Sequence, residues 1–282
     1  MATAQQRDYK IIDAQIHAPD LPHTVHVSGL DKEPLLRELD TARVDGCVIV
    51  PLAAPGDDVS TYNGPALKIA QELPDRFAVM GRFQLTNPQN ERLIPSWRSS
   101  PRLLGMRISF VRDPNQSLLM EDRIDWFWRA VDRAGLPVMV LVTNEMLPKV
   151  GEIAARYPGA RLVVDHFGLT PYVIYDDLDE PLKPLLRLAE HPNVAVKASA
   201  IVDSVADTFP WRSLHEPIHR VVDTFGPRRL FWGSDLTRLK CPYVEVVKLF
   251  TEELTFLTPD QKKWIMGQAL MDWIGWNSGP SA

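Results

Sequence analysis

Three side chains that can exchange protons or bind metals follow short apolar runs in the sequence. His17 follows the first run, His166 follows a run in the middle of the chain, and Asp235 comes directly after Phe231-Trp232-Gly233-Ser234. In α/β proteins the carboxyl ends of the strands form the floor of the ligand crevice. Two imidazoles and one carboxylate at such ends could form a proton-transfer set, or they could bind one divalent metal such as zinc. Both interpretations are open on the residues alone.

The first apolar run carries further polar residues. Because side chains alternate along a strand, Asp13, Gln15 and His17 are predicted to lie on the same side. The amide of Gln15 could contact a substrate or serve as a weak fourth metal ligand. Asp13 could take part in catalysis or have the structural role of holding backbone amides. His23 and His26 lie in the following loop and could reach the same site, although loop histidines are usually solvated.

Two cations and one phenol complete the candidate set. Arg107 and Lys197 lie at or near the ends of two other apolar runs, and Tyr172 lies in the long loop after His166. Either cation could stabilise the negative charge that develops on a carbonyl oxygen. Arg107 could equally hold a substrate carboxylate in a bidentate fork or lie in a structural salt bridge. Lys197 could pair with a buried aspartate, and Tyr172 could present its hydroxyl to a substrate.

Eight apolar runs must position these side chains. Each run is rich in Val, Ile, Leu, Met or Phe on both faces, which is typical of parallel strands covered on both sides. The strands are predicted over Tyr9–Ile16, Gly46–Pro51, Phe77–Leu85, Leu103–Phe110, Leu136–Val142, Arg161–Asp165, Asn193–Ala198 and Arg229–Gly233.

Amphipathic segments alternate with the predicted strands. They are predicted as helices over Glu33–Val44, Pro65–Leu73, Asn90–Arg98, Ile124–Ala134, Met146–Tyr157, Leu182–Ala189, Leu214–Phe225, Val244–Leu254 and Pro259–Trp273. Eight parallel strands linked by helices are the number that closes a (β/α)8 barrel, whose strand ends meet at one mouth. We therefore predict an α/β fold with one barrel domain over residues 1–282 and an extra C-terminal helix.

Composition excludes several classes of protein. The net charge of -5 is mild and the Lys and Arg residues are scattered, which disfavours a nucleic-acid partner and favours a small-molecule substrate. No apolar run approaches the roughly 20 residues needed to cross a bilayer, and the polar N-terminus does not resemble a signal peptide. Two cysteines are too few for a disulfide framework, so we expect a cytoplasmic protein. Apolar, Trp-rich C-terminal helices could form the face of a homodimer.

The motifs together resemble the amidohydrolase superfamily. Within it they are most similar to the lactonase and amidohydrolase-2 branch, which includes pyrone-dicarboxylate lactonases and sugar lactonases. The resemblance spans nearly the whole chain. The motifs that carry it are Asp13-Ala14-Gln15-Ile16-His17, Gly105-Met106-Arg107, Val164-Asp165-His166-Phe167-Gly168, Val196-Lys197-Ala198-Ser199, Gly233-Ser234-Asp235 and Gly267-Gln268-Ala269-Leu270.

This resemblance implies hydrolysis of a lactone, or of an amide, at the barrel mouth, with Asp235 activating water. It also favours Arg107 as a clamp for a carboxylate, since lactonases of this branch handle acidic substrates. The family's metal sites usually begin with a His-x-His pair, whose first position here is Gln15, and many members have a histidine where this chain has Asn144. We therefore expect either no metal or one divalent ion, zinc or manganese, held by His17, His166 and Asp235. Asn144 becomes a candidate substrate contact.

Two other functions remain open. Relatives in the superfamily remove carboxylate from aromatic or unsaturated acids with one metal, and an intact ligand set would favour such a non-oxidative decarboxylase. The chain could also be a binding barrel without catalysis, an interpretation that the presence of both His166 and Asp235 at strand ends disfavours.

Overall fold

The computed structural model describes residues 7–19, 30–52 and 59–276, with side chains of the second helix described from Asn63 onward. His23 and His26 lie outside the described residues. Within these ranges, no helix is long and apolar enough to cross a membrane.

Eight short strands form one sheet in which every strand pairs in parallel with the next one along the chain. The strands are β1 Ile12–His17, β2 Gly46–Val50, β3 Phe77–Gly81, β4 Leu103–Ser109, β5 Pro137–Leu141, β6 Arg161–Val164, β7 Val194–Ala198 and β8 Leu230–Trp232. The predicted (β/α)8 barrel is therefore confirmed, and every predicted strand is present with shifted ends.

Helices connect most of the strands and continue after the last one. They are α1 Lys32–Ala42, α2 Val59–Glu72, α3 Asn115–Met120, α4 Asp125–Ala134, α5 Leu147–Arg156, α6 Asp179–Arg187, α7 His215–Phe225, α8 Tyr243–Lys248, α9 Pro259–Lys263 and α10 Ala269–Ile274. Single π-helical turns follow α8 and join α9 to α10. The last two helices are the predicted extension beyond the barrel.

The connection between β3 and β4 differs from the prediction. In place of one helix over Asn90–Arg98, the chain forms two 3-10 helices, Pro88–Leu93 and Trp97–Ser99. Pro95 lies between them and has no N–H to donate, which explains why a continuous helix is not formed. The short helix α3 was also not predicted.

The sheet closes between its first and last strands through the residues that follow β8. The backbone N–H of Asp235 donates to the Gln15 carbonyl oxygen at 3.1 Å, and the N–H of Ser234 donates to Asp13 Oδ1 at 2.9 Å. Closure thus brings the residue after β8 directly beside the carboxyl end of β1.

The C-terminal helices cover the other end of the barrel. Inward-facing residues from seven strands pack with Ala269, Leu270, Ile274 and Trp276 in one buried cluster. A Cβ atom on Gly267 would lie only 2.8 Å from the carbonyl oxygen of Lys10, so glycine allows this close approach to the start of β1. Because one end is filled with apolar side chains, polar groups concentrate at the opposite, carboxyl ends of the strands.

Candidate active site

Sharp turns at the ends of β6 and β8 present the candidate residues. His166 and Phe167 have φ of 52° and 56°, Gly168 has 66°, and Asp235 has 59°. Residues other than glycine rarely adopt this left-handed backbone conformation, because it costs energy, and it recurs at functional sites. The turns place His166 and Asp235 immediately beyond their strands and inside the mouth.

Asp235 lies at the centre of a group of three basic side chains. Its Oδ1 is 3.2 Å from His17 Nε2, outside hydrogen-bond alignment. Its Oδ2 is 3.6 Å from His166 Nε2 and 3.4 Å from Arg238 Nη1. The carboxylate itself is fully buried, and both histidines are nearly so. The three residues predicted as the reactive set therefore do converge.

Backbone carbonyls orient both histidine rings. His17 Nδ1 lies 3.0 Å from the Val50 carbonyl oxygen, and His166 Nδ1 lies 3.0 Å from the Ser199 carbonyl oxygen and 2.8 Å from its hydroxyl. A carbonyl oxygen only accepts, so each Nδ1 carries the hydrogen and each Nε2 is directed at Asp235.

The protonation states follow from burial and neighbouring charge. Burial lowers the pKa of His166 to about 4, although the charges of Asp235 and Asp165 oppose this shift. The ring is therefore neutral near pH 7, and its Nε2 is a free acceptor. Burial alone would raise the pKa of Asp235, but its interactions with the surrounding basic groups, led by His17, outweigh burial and hold the pKa well below its usual range.

A second charged group fills the barrel interior below the mouth. Asp165 Oδ1 is 2.7 Å from Lys197 Nζ, and Asp165 Oδ2 accepts from Arg107 Nε at 3.0 Å. Lys197 is fully enclosed and also contacts Gln15 Oε1 and, at 3.4 Å, Met139 Sδ. Burial opposes ionisation of Asp165, yet the two cations outweigh it and lower the pKa of Asp165. The interpretation of Lys197 as an ion-pair partner thus fits its contacts better than direct contact with a substrate.

Asp13 does not share a side with Gln15 and His17, contrary to the sequence prediction. The pairing of β1 with β2 shifts register between Asp13 and Ile16, which marks a bulge that reverses the alternation. Asp13 instead faces β8 and α8, where it accepts from the Ser234 hydroxyl and, at 2.8 Å, from the Tyr243 hydroxyl. Burial raises the pKa of Asp13 to about 6 despite these hydrogen bonds.

Asn144 and Tyr172 lie at the edge of the mouth. Asn144 is half-buried, and its Oδ1 accepts from Thr170 Oγ1 at 3.0 Å. Tyr172 is 70% exposed, and its ring centre lies 4.6 Å from the guanidinium carbon of Arg238. Asn144 therefore anchors the loop after β6, while Tyr172 contacts a residue that itself touches Asp235.

The described donors do not form a recognisable metal centre. No group of three or more His, Cys, Asp and Glu side chains within residues 7–19, 30–52 and 59–276 is arranged to hold a metal ion. Gln15 and Asp165, which could supply oxygens, are both bound by Lys197. The choice between no metal and one ion held by His17, His166 and Asp235 therefore stays a prediction.

A surface cleft lies elsewhere on the molecule. It measures about 1080 Å³ and is lined by residues before β1, at the end of α1 and along α8, among them Tyr9, Arg43 and Lys248. These residues belong to the amino ends of the strands and the outer helical layer, so the cleft is separate from the strand-end groups.

A family model described as amidohydrolase matches residues 2–269. The chain belongs to the amidohydrolase family. It is therefore a hydrolase, as the sequence motifs predicted.

Two curated relatives are L-fucono-1,5-lactonases. The protein from Burkholderia ambifaria is 28% identical over 214 residues, which cover 73% of this chain and 68% of the relative. The protein from Burkholderia multivorans is 29% identical over 231 residues, which cover 76% of this chain and 75% of the relative.

Solved structures share the fold of this amidohydrolase. An amidohydrolase from Burkholderia multivorans with bound zinc matches with a TM-score of 0.79 and 23% identity, covering 94% of this chain and 99% of its own. A proposed 2-pyrone-4,6-dicarboxylic acid hydrolase from Pseudomonas putida matches with a TM-score of 0.76 and 16% identity, covering 95% of this chain and 98% of its own. A 5-carboxyvanillate decarboxylase from Sphingomonas paucimobilis matches with a TM-score of 0.67 and 16% identity, covering 95% of this chain and 99% of its own. At these identities the likeness extends to the fold alone.

Sequence reasoning missed three residues that shape the site of this amidohydrolase. Arg238 contacts Asp235 across one 3-10 turn, Ser199 fixes the His166 ring, and Tyr243 binds Asp13. The three-residue spacing between Asp235 and Arg238 was a usable signal, because residues three apart in a helical turn are neighbours. Nothing local in the sequence reveals the contact of Tyr243.

Proposed function

We propose that this amidohydrolase is a lactonase that opens a small cyclic ester by attack of water, with Asp235 as the acceptor of the water proton. The observation that supports it most is the pair of acceptors Asp235 Oδ2 and His166 Nε2, which lie 3.6 Å apart at the barrel mouth. The two L-fucono-1,5-lactonase relatives give the same reaction class independently.

The geometry of the pair suits one water molecule. Two acceptors 3.6 Å apart can both lie within hydrogen-bond distance of a single water oxygen. That water donates one hydrogen to Asp235 and the other to His166, so its lone pairs are directed away from both residues. A carbonyl carbon held above the water would meet a fixed nucleophile.

The proposed reaction balances with these groups alone. The water oxygen bonds to the lactone carbonyl carbon while its proton passes to Asp235, which becomes a neutral acid. The tetrahedral intermediate then breaks the bond between the carbonyl carbon and the ring oxygen. Asp235 returns the proton to that ring oxygen, and the product is an open-chain hydroxy acid.

Arg107 is the proposed clamp for the rest of the substrate. Its Nε donates to Asp165 at 3.0 Å, and neither terminal nitrogen bonds to another described side chain. Such a fork suits a carboxylate or a pair of hydroxyls on the lactone. We therefore propose two substrate classes, sugar 1,5-lactones and lactones that carry a carboxylate.

The decarboxylase alternative receives less support. The decarboxylase from Sphingomonas paucimobilis shares the fold, but its 16% identity carries no chemistry to this chain. In the described part of the chain, no group of three or more His, Cys, Asp and Glu side chains is arranged to hold the metal that such a decarboxylation would use.

The function can be tested with purified protein and a panel of lactones that includes L-fucono-1,5-lactone and 2-pyrone-4,6-dicarboxylate. Acid release is followed by a pH indicator, and 5-carboxyvanillate is included to detect decarboxylation. Asp235→Asn should reduce kcat by about 10³-fold or more, because the proton acceptor is lost. Asp75→Asn, which changes an exposed carboxylate before β3, should retain wild-type activity. Hydrolysis that survives Asp235→Asn would contradict the proposed role.

A further inference from the structure

A lactone carbonyl attacked by water needs a cationic or N–H partner for its oxygen. The oxygen becomes negative in the transition state, and a fixed donor at that point is usually the largest single contribution to catalysis. The partner must lie close to Asp235, since the attacked carbon lies above the water that Asp235 binds. It must also have hydrogens that are not already committed.

The two cations predicted from the sequence do not meet these requirements. Lys197 is fully enclosed, and its ammonium contacts Asp165, Gln15 and Met139. Arg107 lies on β4, which is four strands from β8 in either direction around the barrel, so it is on the wall opposite Asp235. Arg107 therefore suits the far end of the substrate and not the reacting carbonyl.

Arg238 meets both requirements. Its Nη1 lies 3.4 Å from Asp235 Oδ2, the same oxygen that faces His166 Nε2. Its side chain is 18% exposed, and its other guanidinium nitrogens make no hydrogen bond to any residue in the described part of the chain. The unbonded N–H groups of the Arg238 guanidinium thus lie close to Asp235 Oδ2, the oxygen that would bind the water.

Tyr172 holds the guanidinium in place from the solvent side. Its ring centre is 4.6 Å from the guanidinium carbon of Arg238, a distance typical of cation–π contacts. The loop that carries Tyr172 is fixed at both ends, since Thr170 Oγ1 donates to Asn144 and the N–H of Tyr175 donates to the Ser204 carbonyl oxygen at 2.8 Å. An exposed tyrosine on an anchored loop therefore orients Arg238.

We propose that Arg238 is a catalytic residue that donates to the carbonyl oxygen of the lactone as it becomes anionic, with Tyr172 as its positioning residue. This assignment rests on the proposed lactonase function. It places the reacting carbonyl between Asp235 and Arg238 on the β8 wall. Arg238 then serves the resting enzyme as a counter-charge for Asp235 and the transition state as an oxyanion donor.

The test compares matched variants by steady-state kinetics on the best lactone of the panel. Arg238→Met keeps the length of the side chain but removes its donors, so kcat should fall by about 10²–10³-fold with an unchanged melting temperature. The kcat of Arg238→Lys should lie between the values of wild type and Arg238→Met. Tyr172→Leu should lose several-fold in kcat, and Tyr172→Phe, which keeps the ring, should restore most of that loss.

Chemical rescue distinguishes catalysis from structure. Guanidinium ion, at concentrations well below those that unfold the protein, should raise kcat of Arg238→Ala about tenfold or more, whereas potassium at equal ionic strength should not. The assignment requires both this rescue and the loss in Arg238→Met, and it is wrong if either is absent. If Asp235→Asn is inactive while Arg238→Met stays active, only this assignment fails. If wild type hydrolyses no lactone, the proposed function fails as well.

Discussion

Replacing Lys197 with methionine should be among the most damaging single changes in the barrel interior. The substitution keeps the length of the side chain and removes its charge and its donors. Asp165 Oδ1 would lose an ammonium at 2.7 Å, and Gln15 Oε1 would lose its hydrogen-bond donor. Neither partner can turn to water, because Asp165 and Gln15 are fully buried.

The expected cost follows from these two orphaned groups. Removing one partner of a buried ion pair typically costs about 3–5 kcal/mol, and a buried acceptor without a donor costs about 1–3 kcal/mol. Arg107 still holds Asp165 through Nε at 3.0 Å, which limits the first cost. We therefore expect Lys197→Met to lower the free energy of unfolding by about 3–5 kcal/mol in total.

Urea unfolding monitored by tryptophan fluorescence measures this change, with Lys183→Met as the matched control. Lys183 pairs with Glu180 on the exposed surface of α6, so its loss should cost no more than about 1 kcal/mol. Adding Asp165→Asn to Lys197→Met should recover part of the loss, since the carboxylate is then neutral. A cost for Lys197→Met equal to that of the control, or no coupling in the double variant, would refute the reasoning.

Three further results are expected. Because the pKa of His166 is about 4, kcat/KM should stay level down to about pH 5 and fall below it; a fall centred near pH 6.5 would contradict a neutral ring. The pKa of Asp13 in the folded protein, about 6, exceeds the ordinary value of 3.8. The stability that the buried neutral carboxyl contributes is therefore lost as pH rises through 6. The unfolding free energy of wild type relative to Asp13→Asn should therefore decline between about pH 4 and 6, and a constant difference would argue against burial of the charge. Dialysis against a chelator should leave lactone hydrolysis intact, as checked by activity and elemental mass spectrometry; loss of activity that zinc or manganese restores would reinstate the metal site of His17, His166 and Asp235.

The barrel was predictable because its signal is regular and local. Parallel strands covered on both faces read as continuous apolar runs, and glycine or proline ends several of the helices between them. The helix predictions were wrong where a proline interrupts a segment or where a segment is very short. Pro95 divides a predicted helix into two 3-10 helices, and the α3 segment is too short to show a helical period.

The convergence of the candidate residues was predictable, whereas their individual contacts were not. Polar residues at strand ends identified His17, His166 and Asp235, because closure of any such barrel brings those ends together. A bulge in β1 moved Asp13 to the other side, and no local pattern announces a bulge. The contact of Arg238 with Asp235 was indicated in the sequence only by their spacing of three residues, and it depends on the left-handed conformation of Asp235.

The charged groups of the candidate site form two sets, and under the proposed function this separation orients the substrate. Asp165 lies between Lys197 and Arg107, so this set has one cation in excess. Asp235 is countered by Arg238 and approached by His17. We therefore expect an anionic or hydroxyl-rich end of a lactone to bind toward Arg107, with its carbonyl against Asp235 and Arg238. This orientation separates binding from chemistry, so Arg107→Lys should mainly raise KM for carboxylated lactones, whereas changes at Arg238 should mainly lower kcat.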